Sequence, residues 1–378
     1  MRYKELDGLR GCASLTVLFS HFIAVFPIID SDTYGHNITI LNVMKYSPLH
    51  IVYAGHEAVI LFFILSGFVL TIPYLSGDIS YKIFITKRIS RIYIPYISAV
   101  MISLIMFELF SKHGISQLSN WFNLSWIQPV TLSDIVSHVA FIGYFNTLKL
   151  DNPIWSLVHE MRISLIFPFL VYFSLRHKWV VNITMAAVMA LLAFICSHFI
   201  RQTLPMLNDF LSTIQYVFMF IIGITLAQHR DLLILKYRDL NVYIRIFLVI
   251  SAVFFYTYSF QFYGIKILHV SFINDCVTAL GSSILVVIVL GYNRVMLLKP
   301  IQFLGKISYS LYLLHVPVLL SIVYIFYGRL PMLNILVIAF IVAIIFATLS
   351  YRFIEIPSIE LGKRLTRFKN HNNPKKVV

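Results

Sequence analysis

"LDGLRGCASLTVLFSHF", residues 6–22, decides how the rest of the chain is read. From Leu9 to Phe26 the stretch is apolar enough to enter a bilayer, yet it carries Arg10 and His21. An ionisable side chain at the centre of a membrane helix costs about 2.5–3.5 kcal/mol on insertion scales. The two residues are eleven positions apart. At 3.6 residues per turn that is about three turns, which places them on one helical face roughly 16 Å apart, with Ser14 and Val17 between them. Two costly side chains aligned on one face read as a functional site by default. In the plainer alternative Arg10 snorkels to lipid phosphates and His21 hydrogen-bonds a neighbouring helix.

The apolar character extends over all 378 residues: 59% are hydrophobic and 12% charged, against roughly 25% charged in a soluble domain. This is the composition of an all-α integral membrane protein, not of a soluble domain with an anchor. A cleaved signal peptide is not expected, because no small-residue cleavage site follows the first apolar run and Pro27-Ile28-Ile29 closes it. Cys12, Cys196 and Cys276 lie in separate apolar segments, so neither a disulfide framework nor a metal cluster is expected. Asn-x-Ser/Thr triplets begin at Asn37, Asn123 and Asn182, the last inside an apolar run. The net charge of +14 belongs to cytoplasmic loops and not to a nucleic-acid surface.

Spans of about 20 apolar residues can be drawn at 9–28, 51–74, 92–110, 154–175, 179–199, 209–228, 242–260, 270–292, 308–328 and 331–353. A weaker segment, 131–148, holds Asp134, His138 and Asn146 and is either an eleventh span or a surface helix. Loop charge decides. With ten spans and both termini cytoplasmic, the inside segments hold most of the lysines and arginines, and the outside ones hold only Lys45, Lys112, Lys149, Arg201, Lys266 and Arg329. An eleventh crossing would invert every later loop and destroy this asymmetry. The expected organisation is one polytopic domain over 1–356 and a solvated basic cytoplasmic tail over 357–378, suited to anionic lipid.

Six stretches then carry a family resemblance. They are "LDGLRG" with His21 as Arg-x10-His, "GHEAVILFFILSGFVL" (55–70), "KRISRIYIPY" (87–96), "NPIWSLVHEMRISLIFP" (152–168), "LGKISYSLYLLHVP" (304–317) and "YRFIEIP" (351–357). In this order they resemble membrane-bound acyltransferase family 3, the O-acyltransferases of surface glycans. The resemblance implies transfer of an acyl group, acetyl above all, from cytoplasmic acetyl-CoA (acyl-CoA) to a hydroxyl of a surface glycan or lipid-linked sugar such as lipopolysaccharide. The setting it implies is a bacterial inner membrane. One departure is Met161-Arg162-Ile163 after Glu160, where many members carry a second acidic or amide residue and an aromatic. Arg162 is expected to pair with Glu160.

On this reading the catalytic residues are His21, Arg10 and Glu160. His21 is a general base or a transient acyl carrier. Glu160 orients its imidazole, binds acceptor hydroxyls, or merely partners Arg162 or His159. Arg88 and Arg91, helped by Arg10, hold the phosphates of the donor; as loop residues they also serve as positive-inside determinants. Ser66, Gly67 and His315 line the donor path. Gly67 either admits the pantetheine arm or packs helices tightly, and His315 is either a polar group of the tunnel or a kink partner. Trp155, Ser156 and His159 lie on the acceptor side. Counting depth along the spans puts His21 and Glu160 in the outer half, and Ser66, Gly67 and His315 in the inner half near Arg10, Arg88 and Arg91. No metal is expected: His36, His50 and His56 read as solvated loop with Asp30 and Asp32. A separate extracytoplasmic partner is possible. The competing class is a transporter or flippase, but no internal repeat with matching broken helices is visible. There is also no Gly-x4-Gly-Lys loop and no Gly-x-Ser-x-Gly elbow. A structural subunit of an export machine is the third reading.

Overall fold

The computed structural model describes residues 3–27, 47–77, 79–111, 114–126, 129–261, 270–292 and 294–371. Asp30, Asp32, His36 and the Asn37 triplet lie outside them. In chain order the main helices are α1 (Lys4–Ala24), α2 (Gly55–Leu75), α3 (Tyr81–Phe110), α4 (Leu132–Ala140), α5 (Trp155–Arg176), α6 (Trp179–Ile200), α7 (Pro205–Gln228), α8 (Arg230–Asp239), α9 (Val242–Tyr256), α10 (Ser271–Gly291), α11 (Lys299–Phe326), α12 (Met332–Ser350) and α13 (Ile356–His371). Among the described residues there is no strand. Among the described residues eight helical segments are long and apolar enough to cross a membrane, and α9 is a shorter apolar helix. The protein is an all-α integral membrane protein.

Helix ends differ from the apolar runs in an instructive way. α3 has 30 residues, about 45 Å at 1.5 Å per residue, and starts at Tyr81, well before the apolar run that begins at 92. The Lys- and Arg-bearing turns stay helical because charge keeps these residues out of hydrocarbon, whereas both are good helix formers. In contrast, the α-helix of the 131–148 segment is the nine-residue α4, too short to cross the hydrocarbon core. Its start is fixed by a capping box: Thr131 Oγ1 accepts from Asp134 N–H, and Asp134 Oδ2 accepts from Thr131 N–H.

The chain divides into two compact units. One comprises Met1–Ile23, Ile28–Gly77 and Phe169–Lys306. Its helices meet through glycines. A Cβ on Gly223 of α7 would strike the Ile64 carbonyl and the Phe68 nitrogen of α2, and one on Gly67 would strike the Phe220 backbone. Gly11 of α1 abuts Gly305 in the second turn of α11, and Gly281 of α10 abuts Ala252 and Tyr256 of α9. Such close crossings are how membrane helices gain packing without a hydrophobic driving force. Asn182 of α6 and Gln228 of α7 both donate to the Ser174 carbonyl, so Asn182 is an internal tie and not a surface amide.

The other unit comprises Ala24–Pro27, Asp78–Pro168 and Ile307–Val378. Here α3 and α5 are held side by side: Tyr81 Oη donates to the Leu165 carbonyl, and Phe84 stacks on Phe167. α4 lies on α3, with Tyr93 and Tyr96 donating to the Val139 and His138 carbonyls. A π-helical turn, Tyr351–Glu355, joins α12 to α13. Gly362 then lets α13 close onto Ser90 and Lys87 of α3. The segment from 357 is thus helical as far as His371.

Candidate functional site

Arg10 and His21 are half-buried on α1, and Ser14 and Val17 between them are buried. His21 Nδ1 donates to the Val17 carbonyl at 3.0 Å. A carbonyl only accepts, so the neutral ring holds its proton on Nδ1 and its lone pair on Nε2. Ser20 fills the space where a Cβ on Gly55 would stand, which sets the start of α2 against the turn of α1 that carries His21. His56 follows Gly55, and its Nε2 donates to Asp275 Oδ1 of α10 at 2.7 Å. Glu57 is buried and accepts from Ser259 Oγ at 2.5 Å.

This corrects the solvated-loop reading for His50, and for His56 its loop part alone, since the His56 side chain stays exposed. His50 is 1% exposed and stacked on Phe260, and His56 is the second residue of a helix with a carboxylate partner. Short-range polarity around residues 47–57 suggests a loop; the contacts that engage them come from residues some 200 positions away. Ser66 and Gly67 are buried on α2 in the same unit. The space beside Gly67 is occupied by the backbone of Phe220, so the packing reading of this glycine prevails over the pantetheine one.

The other unit gathers Arg88, Arg91, Trp155, Ser156, His159, Glu160 and His315. Arg88 is buried; its Nη2 donates to Glu160 Oε1, and its Nε to Ser164 Oγ at 2.9 Å. Ser164 Oγ in turn donates to the Glu160 carbonyl. Arg91 is exposed, within electrostatic reach of Glu355, whose Oε2 accepts from Ser310 Oγ at 2.8 Å. Tyr309 lies in reach of both arginines and both glutamates, and donates to the Ile92 carbonyl at 2.9 Å.

Glu160 is engaged by Arg88, a partner the sequence did not suggest. The chain turns at Phe141 (φ 64°), and the next two carbonyls, Ile142 and Gly143, accept from Arg162 Nε and Nη2. Arg162 serves a loop, which explains why a base is accommodated beside the glutamate. One expectation is overturned here: Arg88 and Glu160 do not lie at separate depths, because they touch. Starting the span at 92 leaves Arg88 in a loop, although it sits in the third turn of α3 and faces α5.

Ser156 Oγ and Tyr312 Oη are 2.6 Å apart, and Tyr312 also donates to the Pro153 carbonyl. This pins the start of α5 to α11. His159 is buried against the edge of Trp155. His315, fully buried, donates through Nδ1 to the Leu311 carbonyl at 3.0 Å. That is its own turn, and not the Leu313 carbonyl that Pro317 leaves without an intrahelical donor.

Sequence reasoning passed over Asp151, Tyr309 and Glu355, and gave His138 no role. Asp151 is fully buried, and neither carboxylate oxygen has a hydrogen-bond partner among the described residues. Burial pushes its pKa well above the usual carboxylate range. His138 donates through Nδ1 to the Asp134 carbonyl, and burial lowers its pKa. Asp134 is held down to about 2, chiefly by its hydrogen bond from Lys149. The visible signal for Asp151 was its place one residue before Asn152-Pro153-Ile154-Trp155; Glu355 stood inside the quoted "YRFIEIP". Among the described residues, no three His, Cys, Asp or Glu side chains converge as metal ligands.

A first helix with Arg10 and His21, the Arg88–Glu160 pair and the Ser156–Tyr312 tie all fall on the stretches that carried the resemblance. A family model described as "Acyltransferase domain" matches residues 3–352, and the chain belongs to this family, acyltransferase family 3. It is similar to the O-acetyltransferase OatA of Staphylococcus aureus, in strains NCTC 8325 / PS 47 and COL among others. The identity is 24% over 401 aligned positions, covering 96% of this chain and 58% of the relative. The chain therefore spans a little under three fifths of the length of the curated relatives it matches. No solved structure matches it.

Proposed function

We propose that the protein transfers an acetyl group from cytoplasmic acetyl-CoA to a hydroxyl of a cell-surface or lipid-linked glycan, in a bacterial cytoplasmic membrane with both termini inside. The observation that carries this reading is the family match over residues 3–352, which includes the aligned Arg10 and His21. The OatA relatives are named O-acetyltransferases, which favours acetyl and a hydroxyl acceptor.

In the direct route the acceptor O–H gives its proton to His21 Nε2 as its oxygen attacks the thioester carbonyl. The C–S bond breaks, and the departing thiolate takes the proton from the imidazolium. In the covalent route Nε2 attacks first and the C–S bond breaks, leaving a thiolate and an acyl-imidazolium that keeps its Nδ1 proton; the acceptor hydroxyl then opens the acyl-imidazolium and its proton passes to the thiolate. The Val17 hydrogen bond supports both by keeping the Nε2 lone pair in place. Arg10 and exposed Arg91 are suited to the phosphates of the donor. Arg88 is engaged by Glu160, so we assign it to holding that carboxylate toward the acceptor side with Trp155, Ser156 and His159. Ser66 and His315 remain assigned to the donor path.

The test uses purified protein in nanodiscs with acetyl-labelled acetyl-CoA, comparing wild type with His21→Ala and Arg10→Ala. Transfer to a glycan, or slow acetyl-CoA hydrolysis, should require His21 in a variant that still folds. Label retained on the wild-type protein but absent from His21→Ala selects the covalent route. Equal turnover by wild type and His21→Ala refutes the assignment.

A further inference from the structure

In the unit that holds Arg88 and Glu160, the start of α3 and the middle of α13 enclose a cavity of about 320 Å³, lined by Ile83, Lys87, Lys363, Thr366 and Arg367. Three of the five side chains are cationic, and all three are exposed. Among the described residues no carboxylate forms an ion pair with any of them. Thr366 donates to the Gly362 and Lys363 carbonyls of its own helix, so the polar character of the cavity is that of its cations.

The site is held in shape by packing. Gly362 brings α13 within van der Waals reach of Ser90 and of the Lys87 backbone, fixing the spacing of Lys87 on one helix against Lys363 and Arg367 on the other. Clustered like charges repel, and an anion seated among them relieves that repulsion. Lysine and arginine together supply point charge and a bidentate fork, the pair of donors that phosphate oxygens favour. Ile83 and Lys87 are in the first two turns of a 30-residue helix, whose N-terminal dipole adds positive potential on the same side. The volume is at the lower end of ligand sites, about 300–1,000 Å³, enough for a phosphate-bearing group.

We propose that this cavity is a phosphate-binding subsite. On the donor assignment made above, on which this identification rests, its ligand is the 3′-phosphate of the acyl-CoA, bound at Lys87, the residue before Arg88. The same chemistry is offered by an anionic lipid headgroup. The two sources are separable.

The experiment compares wild type, Lys363→Gln/Arg367→Gln and the charge-preserving Lys363→Arg in nanodiscs. In neutral phosphatidylcholine discs, KM and kcat are measured with acetyl-CoA and with acetyl-3′-dephospho-CoA. The double variant should raise KM for acetyl-CoA about ten-fold, as loss of charged hydrogen bonds to one phosphate implies, with kcat little changed. The difference should vanish with the dephospho donor, and Lys363→Arg should keep most of the wild-type KM. If KM is unchanged but the double variant loses the thermal stabilisation that phosphatidylglycerol discs give wild type, the phosphate is a lipid's. If the double variant matches wild type in both arms, the cavity is not a phosphate site. Should wild type fail to use acetyl-CoA at all, the functional reading falls. The cavity is then judged by the lipid arm and by the melting shift with inorganic pyrophosphate.

Discussion

Removing one partner of the Arg88–Glu160 pair leaves a covered charge without its counterpart. The two side chains are 8% and 16% exposed, and Arg88 has Ser164 as its other partner in the contact. Neutral interhelical hydrogen bonds in a bilayer are worth about 0.6 kcal/mol on average. Breaking a buried ion pair costs about 3–5 kcal/mol, most of it the penalty of the orphaned charge. The second figure applies here because both groups are ionic and covered. Glu160→Gln and Arg88→Met should each destabilise by about 3 kcal/mol. The double variant Arg88→Met/Glu160→Gln removes both charges of the pair together, so it should cost no more than either single one. Unfolding in mixed detergent micelles gives all four corners of the cycle. A double variant that equals the sum of the singles to within about 0.5 kcal/mol would refute the coupling.

Gly223→Leu should destabilise by about 1–3 kcal/mol in a thermal-shift assay, because the new side chain begins where the α2 backbone stands. Gly143→Ala, with open space around it, should stay within about 0.5 kcal/mol. Asp134, depressed to about 2 by Lys149, contributes stability that is complete above the unfolded carboxylate range. That contribution is lost as pH falls from about 4 toward 2; Lys149→Met should flatten the acid limb of a stability–pH curve. Asp151 has the opposite sign. Its folded pKa is raised, so the unfolded chain gives up the proton first and stability declines as pH climbs above about 4. Asp151→Asn should remove that decline, and a curve parallel to wild type would contradict it.

Much of the fold was legible because hydrocarbon is a demanding solvent: each expected apolar run contains a helix. The ends were less so. Arg88 shows why, since charge marks where a helix leaves lipid and not where it stops being a helix. Partners were the least legible. Nothing local in "VHEMRIS" (158–164) says that Glu160 turns to Arg88 while Arg162 turns to the carbonyls after Phe141. Likewise His56 gives no sign of Asp275. These are pairings between segments apart in sequence, set by how α2, α3, α5 and α10 pack within their own units. The Arg10–His21 register was readable because helical period alone determines it.

Trans-membrane delivery is the sharpest test of the account. Wild type and His21→Ala are reconstituted in sealed proteoliposomes with labelled acetyl-CoA on the face bearing the basic loops and a hydroxyl-bearing glycan acceptor on the other. Acetylated acceptor should appear on the far side with wild type and not with His21→Ala. Acetylation confined to the donor side, or undiminished without His21, would contradict it.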